Sequence, residues 1–208
     1  RGFDRTLTDL FFLQRFSFTL MSELTRNATL AAYEANASTY CARYEALGTT
    51  ATESRPPEAL ETLYRRWVLP GTNVLELGCG SGRDARFMAR LGADVTATDG
   101  SEAMLAEAKR LAGTDATNCT GSTSNTTGTS ATTPPGSLRF VRLVLPPSEG
   151  LRVDPAAALR ALGATKPFDV VTSSGVLQHL DASELYETAA FIASVTGEKG
   201  IVLVSVPT

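Results

Sequence analysis

Residues 73–99 read NVLELGCGSGRDARFMARLGADVTATD, and this stretch decides the fold. An apolar run, Val74-Leu75-Glu76-Leu77, leads into the turn Gly78-Cys79-Gly80-Ser81-Gly82. A helical pattern follows, and a second apolar run ends on Asp99. Strand, glycine loop, helix, strand and acid make a βαβ unit of the kind that holds an adenosine-containing ligand. Glycines let the backbone turn with φ > 0 and approach a ligand closely. They sit at 78, 80 and 82, not in the one-three-six spacing of a dinucleotide fingerprint. The helix starting near Arg83 aims its unpaired N–H groups and positive dipole end at the loop. No Lys-Ser/Thr pair stands in the loop, which argues against triphosphate binding.

The GxGxG loop behind Leu75-Glu76-Leu77 resembles motif I of the class I S-adenosylmethionine (SAM) dependent methyltransferases. The resemblance implies an α/β, doubly wound, Rossmann-like fold with helices on both faces of a parallel sheet ordered 3-2-1-4-5, preceded by N-terminal helices. It implies that Gly78, Cys79, Gly80 and Gly82 shape the cofactor loop and that Glu76 anchors it. Asp99 matches the acid that binds the ribose hydroxyls, a task for which a carboxylate offers charge-assisted bonds of about 1.5–3 kcal/mol each. The following segment, GSEAMLAEAKRLA, fits the family's next helix start and brings Gly100 and Met104 to the cofactor. Ser101 is read as the cap of that helix.

Tyr33-Glu34-Ala35-Asn36-Ala37-Ser38-Thr39-Tyr40 resembles the Y-D-x-x-A-x-x-Y helix that precedes motif I in many small-molecule methyltransferases and often closes over the cofactor. Tyr40 is taken as a cofactor contact on that ground, and packing of both tyrosines onto the sheet is the alternative. Phe168–Leu180 resembles motif IV, a fourth strand and its turn. Ligands in this fold bind outside the carboxyl ends of the strands, at the switch between the first and fourth. Ser173, with Ser174 and Val176, is therefore expected at the pocket edge, and Asp169 at the far end is read as structural. The family often has an Asp after the third strand that meets adenine. Here Val144-Leu145-Pro146-Pro147 follows, leaving backbone and apolar contacts.

His179 is the single histidine of the chain and lies just past motif IV. Imidazole is the side chain best suited to act as a general base near neutral pH, for an acceptor that carries a proton. A helix-start residue at the pocket rim is the alternative. Motif IV lacks the N/D-P-P-Y/F pattern of enzymes that methylate DNA bases or glutamine amides. The reading is a SAM-dependent methyltransferase with a small-molecule acceptor. A protein methyltransferase, a silent SAM-binding or scaffolding subunit and a nicotinamide oxidoreductase are the competitors, and the glycine spacing speaks against the last.

The 208 residues suffice for one domain with a real core. A net charge of −3 gives no electrostatic reason for a nucleic-acid or membrane partner. The three cysteines, at 41, 79 and 119, show no disulfide or metal-ligand spacing, so a reducing, cytoplasmic setting and no metal are expected. Cys79 is read as packing. The sequons at Asn27, Asn36, Asn118 and Asn125 are then chance matches. The oligomeric expectation is a monomer or homodimer.

Three parts are expected. Residues 1–22 are an extra segment, read as sequence upstream of a start at Met21, with an added amphipathic helix and a weak targeting segment as the alternatives. Residues 23–70 form N-terminal helices covering the cofactor site, and 71–208 form the SAM-binding domain. Within it 113–137, rich in Ser, Thr and Gly, is read as a disordered insertion. Helices are expected over 58–68, 83–91, 101–112, 154–162 and 181–196, and strands over 138–145 and 200–206. The family sheet has seven strands and this sequence supplies five, so GIVLVSV at 200–206 is expected as an apolar edge, either because the chain is a fragment lacking the last hairpin or because a partner covers that edge.

Overall fold

The central strand β1 (Asn73–Leu77) is buried along its whole length. It pairs in parallel with β2 (Asp94–Asp99) on one side and β4 (Phe168–Ser174) on the other. Strand β3 (Leu138–Arg142) extends the β2 side and β5 (Thr196–Ser205) the β4 side, giving an all-parallel sheet ordered β3-β2-β1-β4-β5. The computed structural model describes residues 5–46, 54–119 and 136–206, with the backbone alone for 5–23 and 114–119.

Alternation along β1 builds two cores. Val74 meets Tyr64 of α2 (Glu58–Trp67), Ala85 and Met88 of α3 (Arg83–Arg90) and Leu105 of α4 (Glu102–Cys119). Leu75 and Leu77 point to the opposite face. There they join Leu151 of α5 (Glu149–Val153), Ala158 of α6 (Pro155–Ala161) and Phe191 of α7 (Ala182–Val195). Helices therefore cover both faces, as the resemblance implies. At the foot of the sheet the Asn73 N–H donates to Asp169 Oδ2 at 2.8 Å, joining β1 to β4. Asp169 is structural, as read.

Helix α1 runs from Arg5 to Ala46 with one non-helical residue, Asn36 (φ −125°, ψ 19°). The segment before Met21 thus continues into the expected helix. Its second half packs Ala37 and Cys41 on Met104 of α4. No described helix is long and apolar enough to cross a membrane.

Beyond α1, three boundaries and one added helix differ from the expectation. Helix α4 continues to Cys119, so the expected insertion opens with helical residues, and 120–135 lie outside the described residues. Strand β3 ends at Arg142, and Leu143–Leu145 turn away through a cis Leu145–Pro146 bond. The short helix α5 was not foreseen. Strand β5 begins at Thr196, but a bulge between Phe168 and Val170 delays regular pairing to Ile201, close to the expected start. Asp181 caps α7. It accepts from the Glu184 N–H at 2.9 Å, while the Glu184 side chain accepts from the Asp181 N–H at 3.1 Å.

Candidate functional site

The chain leaves β1 through three glycines, all with positive φ: 70° at Gly78, 56° at Gly80 and 73° at Gly82. At Gly78 a side chain is excluded twice, because a Cβ there would also collide with Val176. The turn is held by the Cys79 N–H on the Thr98 carbonyl (2.7 Å) and the Gly82 N–H on the Cys79 carbonyl (2.8 Å). This bends the backbone across the carboxyl ends of β1 and β2 and opens a cavity of about 170 Å³ there.

Asp99 closes β2 at the cavity wall. Its Oδ2 accepts from the Gly80 N–H at 3.0 Å and its Oδ1 from the Ser101 N–H at 2.9 Å. Each oxygen keeps further acceptor capacity. Burial pushes its pKa up, against the pull of these backbone donors. Glu76, 4% exposed, also lines the cavity. Its buried Oε2 has no hydrogen-bond partner among the described residues. Burial and the Asp84 carboxylate push Glu76 well up, and Arg83 pulls it back. An unsatisfied buried carboxylate oxygen is costly, and a cationic or hydroxyl-bearing ligand supplies the missing donor.

Gly78, Cys79, Gly80, Gly100, Met104 and His179 line the same cavity. Burial pushes the Cys79 thiol well up, consistent with packing. Three expected contacts lie outside the wall. Gly82 sits at the cap of α3 and faces the sheet, where a Cβ would press on Phe140 and Ala108. Ser173 is buried inside β4, and its neighbour Ser174 lines the cavity instead. Tyr40 lies behind Tyr33, with ring centroids 4.9 Å apart, and Tyr33 holds the wall position.

Helix α1 brings Tyr33 of the quoted motif to the wall and adds Arg26, Thr29, Leu30 and Tyr44, which no motif marked. The steps from 26 to 29, 30 and 33 are the helical period, so these four share one face. Two carboxylates fasten the helix over the site. Glu34 accepts from Ser101 Oγ at 2.6 Å, and hydrogen bonds from Ser101 and Ala103 hold its pKa low. Glu45 accepts from Ser81 Oγ at 2.5 Å and from Arg86 at 2.7 Å. Burial alone would raise Glu45, but these hydrogen bonds and the Arg86 charge outweigh it and hold it low. After β3, Leu143, Val144 and Leu145 furnish an apolar wall where the sequence has no acid. Among the described residues no three His, Cys, Asp or Glu side chains gather to hold a metal.

The family model described as a methyltransferase domain matches residues 32–208. A DhpI complex with SAH resembles the chain at 25% identity and TM-score 0.55, over 85% of this chain and 66% of that one. A TehB-like SAM-dependent methyltransferase from Corynebacterium glutamicum ATCC 13032 shares the fold at 20% identity and TM-score 0.53, over 81% of this chain and 72% of that one. A 43-residue stretch is 51% identical to the ubiquinone biosynthesis O-methyltransferase of Xanthomonas campestris pv. campestris, covering 21% of this chain. The chain spans only 18% of the length of that curated relative, and just under two thirds of the DhpI chain. With a family model covering most of its length and a sheet in the class I order, the chain belongs to the methyltransferase-domain family.

Proposed function

We propose that the chain is a SAM-dependent methyltransferase acting on a small molecule. The observation that carries this reading is Asp99, buried at the cavity wall and tied to the glycine loop through the Gly80 N–H. On this reading Asp99 accepts from the ribose hydroxyls and Glu76 from the ammonium group. Gly78, Cys79 and Gly80 let the backbone pass close to the ligand, while Gly82 sets the start of α3. Gly100 and Met104 flank the bound nucleoside, and Leu143–Leu145 supply apolar contact to its base. Tyr40 and Ser173 support the wall from behind.

SAM, when bound, supplies a methyl group on a positively charged sulfonium. The protein's part is positioning and exclusion of water. Leu30, Tyr33 and Tyr44 of α1 shield the cavity, and His179 at its rim serves as the base. The stretch shared with a ubiquinone biosynthesis O-methyltransferase favours a small acceptor.

The test is acceptor-dependent release of S-adenosylhomocysteine (SAH) from SAM across a panel of small hydroxyl, amine and thiol compounds. Release that requires one class of compound supports the reading. SAH binding with no release for any compound, peptides included, points to a silent SAM-binding subunit.

A further inference from the structure

One contact joins α1 to the turn after β4. The Tyr33 hydroxyl lies 3.3 Å from Nε2 of His179, across 146 residues of sequence. The two rings meet edge to face with centroids 5.9 Å apart, and both side chains line the cavity. Tyr40 backs the Tyr33 ring.

The direction of this bond depends on the His179 tautomer. Burial, and then the neighbouring Tyr44 and Tyr40, push the Tyr33 hydroxyl up to about 12, so near neutral pH it keeps its proton. Neutral imidazole has one N–H and one lone pair. A hydroxyl donating to Nε2 places the ring proton on Nδ1. The basic lone pair of His179 is then covered by Tyr33, and a proton arriving from the cavity reaches it through the Tyr33 oxygen.

We propose, resting on the methyltransferase reading above, that Tyr33 and His179 form a two-residue proton relay serving a hydroxyl acceptor, with Tyr33 as the catalytic residue that touches it. The acceptor proton passes to Tyr33 Oη as the Tyr33 proton passes to His179 Nε2. Tyr33 ends neutral and His179 ends as imidazolium. The electron pair left on the acceptor oxygen is the one that takes the methyl group. His179 is exposed on its outer side, so the imidazolium discharges a proton to solvent. A thiol ionises readily by itself and a neutral amine already carries its lone pair. The group that needs this relay is a hydroxyl.

The chain contains one histidine, so its imidazole gives a single set of ring signals. Proton–nitrogen correlation spectra of the labelled full chain, at a pH where the ring is neutral, report the tautomer. The relay requires Nδ1–H in the wild type, shifting towards Nε2–H in Tyr33→Phe. An Nε2–H ring in the wild type, or a tautomer that Tyr33→Phe leaves unchanged, overturns it. If Tyr33→Phe does not fold, the wild-type tautomer decides alone. SAH calorimetry on the same samples separates the two claims. SAH binding with the wrong tautomer overturns the relay only. The right tautomer with no SAH binding overturns the cofactor reading and the relay with it.

Discussion

Gly80 and Asp99 are joined in the cavity wall: the Gly80 N–H donates to Asp99 Oδ2 at 3.0 Å. One bond thus fixes the turn after β1 relative to the acid that ends β2. The loop's path and the carboxylate's position are set together, which is why glycine spacing and a distant Asp read as one motif.

Gly78→Ala meets two penalties. Its φ of 70° is unfavourable for a side chain, and the new Cβ collides with Val176. The expected destabilisation is about 1–3 kcal/mol by urea denaturation. Adding Val176→Ala relieves the collision and leaves about 1–2 kcal/mol of backbone cost. Equal stability of wild type and Gly78→Ala contradicts the loop geometry.

Glu45 links the end of α1 to the glycine loop through Ser81 and Arg86. Its folded pKa lies below its ordinary value. Its ionised form therefore contributes stability above the ordinary carboxylate range, and that contribution is lost as pH falls through the folded value. Glu45→Gln is expected to cost about 1–2 kcal/mol near neutral pH. The gap from wild type narrows in acid, as denaturation at both pH values will show. A gap that widens in acid contradicts the assigned sign.

Asp99 and Glu76 carry the opposite shift: burial raises both. Only their ionised forms accept from a ligand at every oxygen. SAH affinity is therefore full above the raised values and falls as pH drops through them, starting above the ordinary carboxylate range. Calorimetry across that range checks this. An affinity that stays constant until the ordinary Asp range is reached contradicts it.

The glycine turn was legible because β1, the loop and β2 are contiguous in sequence and each obeys a local rule, whereas the order of the sheet and its two helix-covered faces came with the resemblance to the class I methyltransferases. The roof of the cavity was legible in outline only. Periodicity identifies a helix face but not its register against a neighbour, and the break at Asn36 decides that Tyr33 reaches the cavity while Tyr40 backs it. Ser174 lies at the pocket edge as expected and Ser173 does not, because pleating sends successive strand residues to opposite faces. Gly82 follows the glycine pattern for a different reason, close packing against Phe140 and Ala108. Arg26 and Thr29 carry no motif, and only the path of α1 over the strand ends brings them to the site.

Calorimetric titration with SAH, wild type beside Asp99→Ala, tests the central claim most directly. The account predicts measurable binding by the wild type and a loss of about 1.5–3 kcal/mol in the variant, on the scale of bonds to a charged acceptor. A folded wild type that binds no SAH, or an Asp99→Ala variant that binds it equally well, contradicts the account.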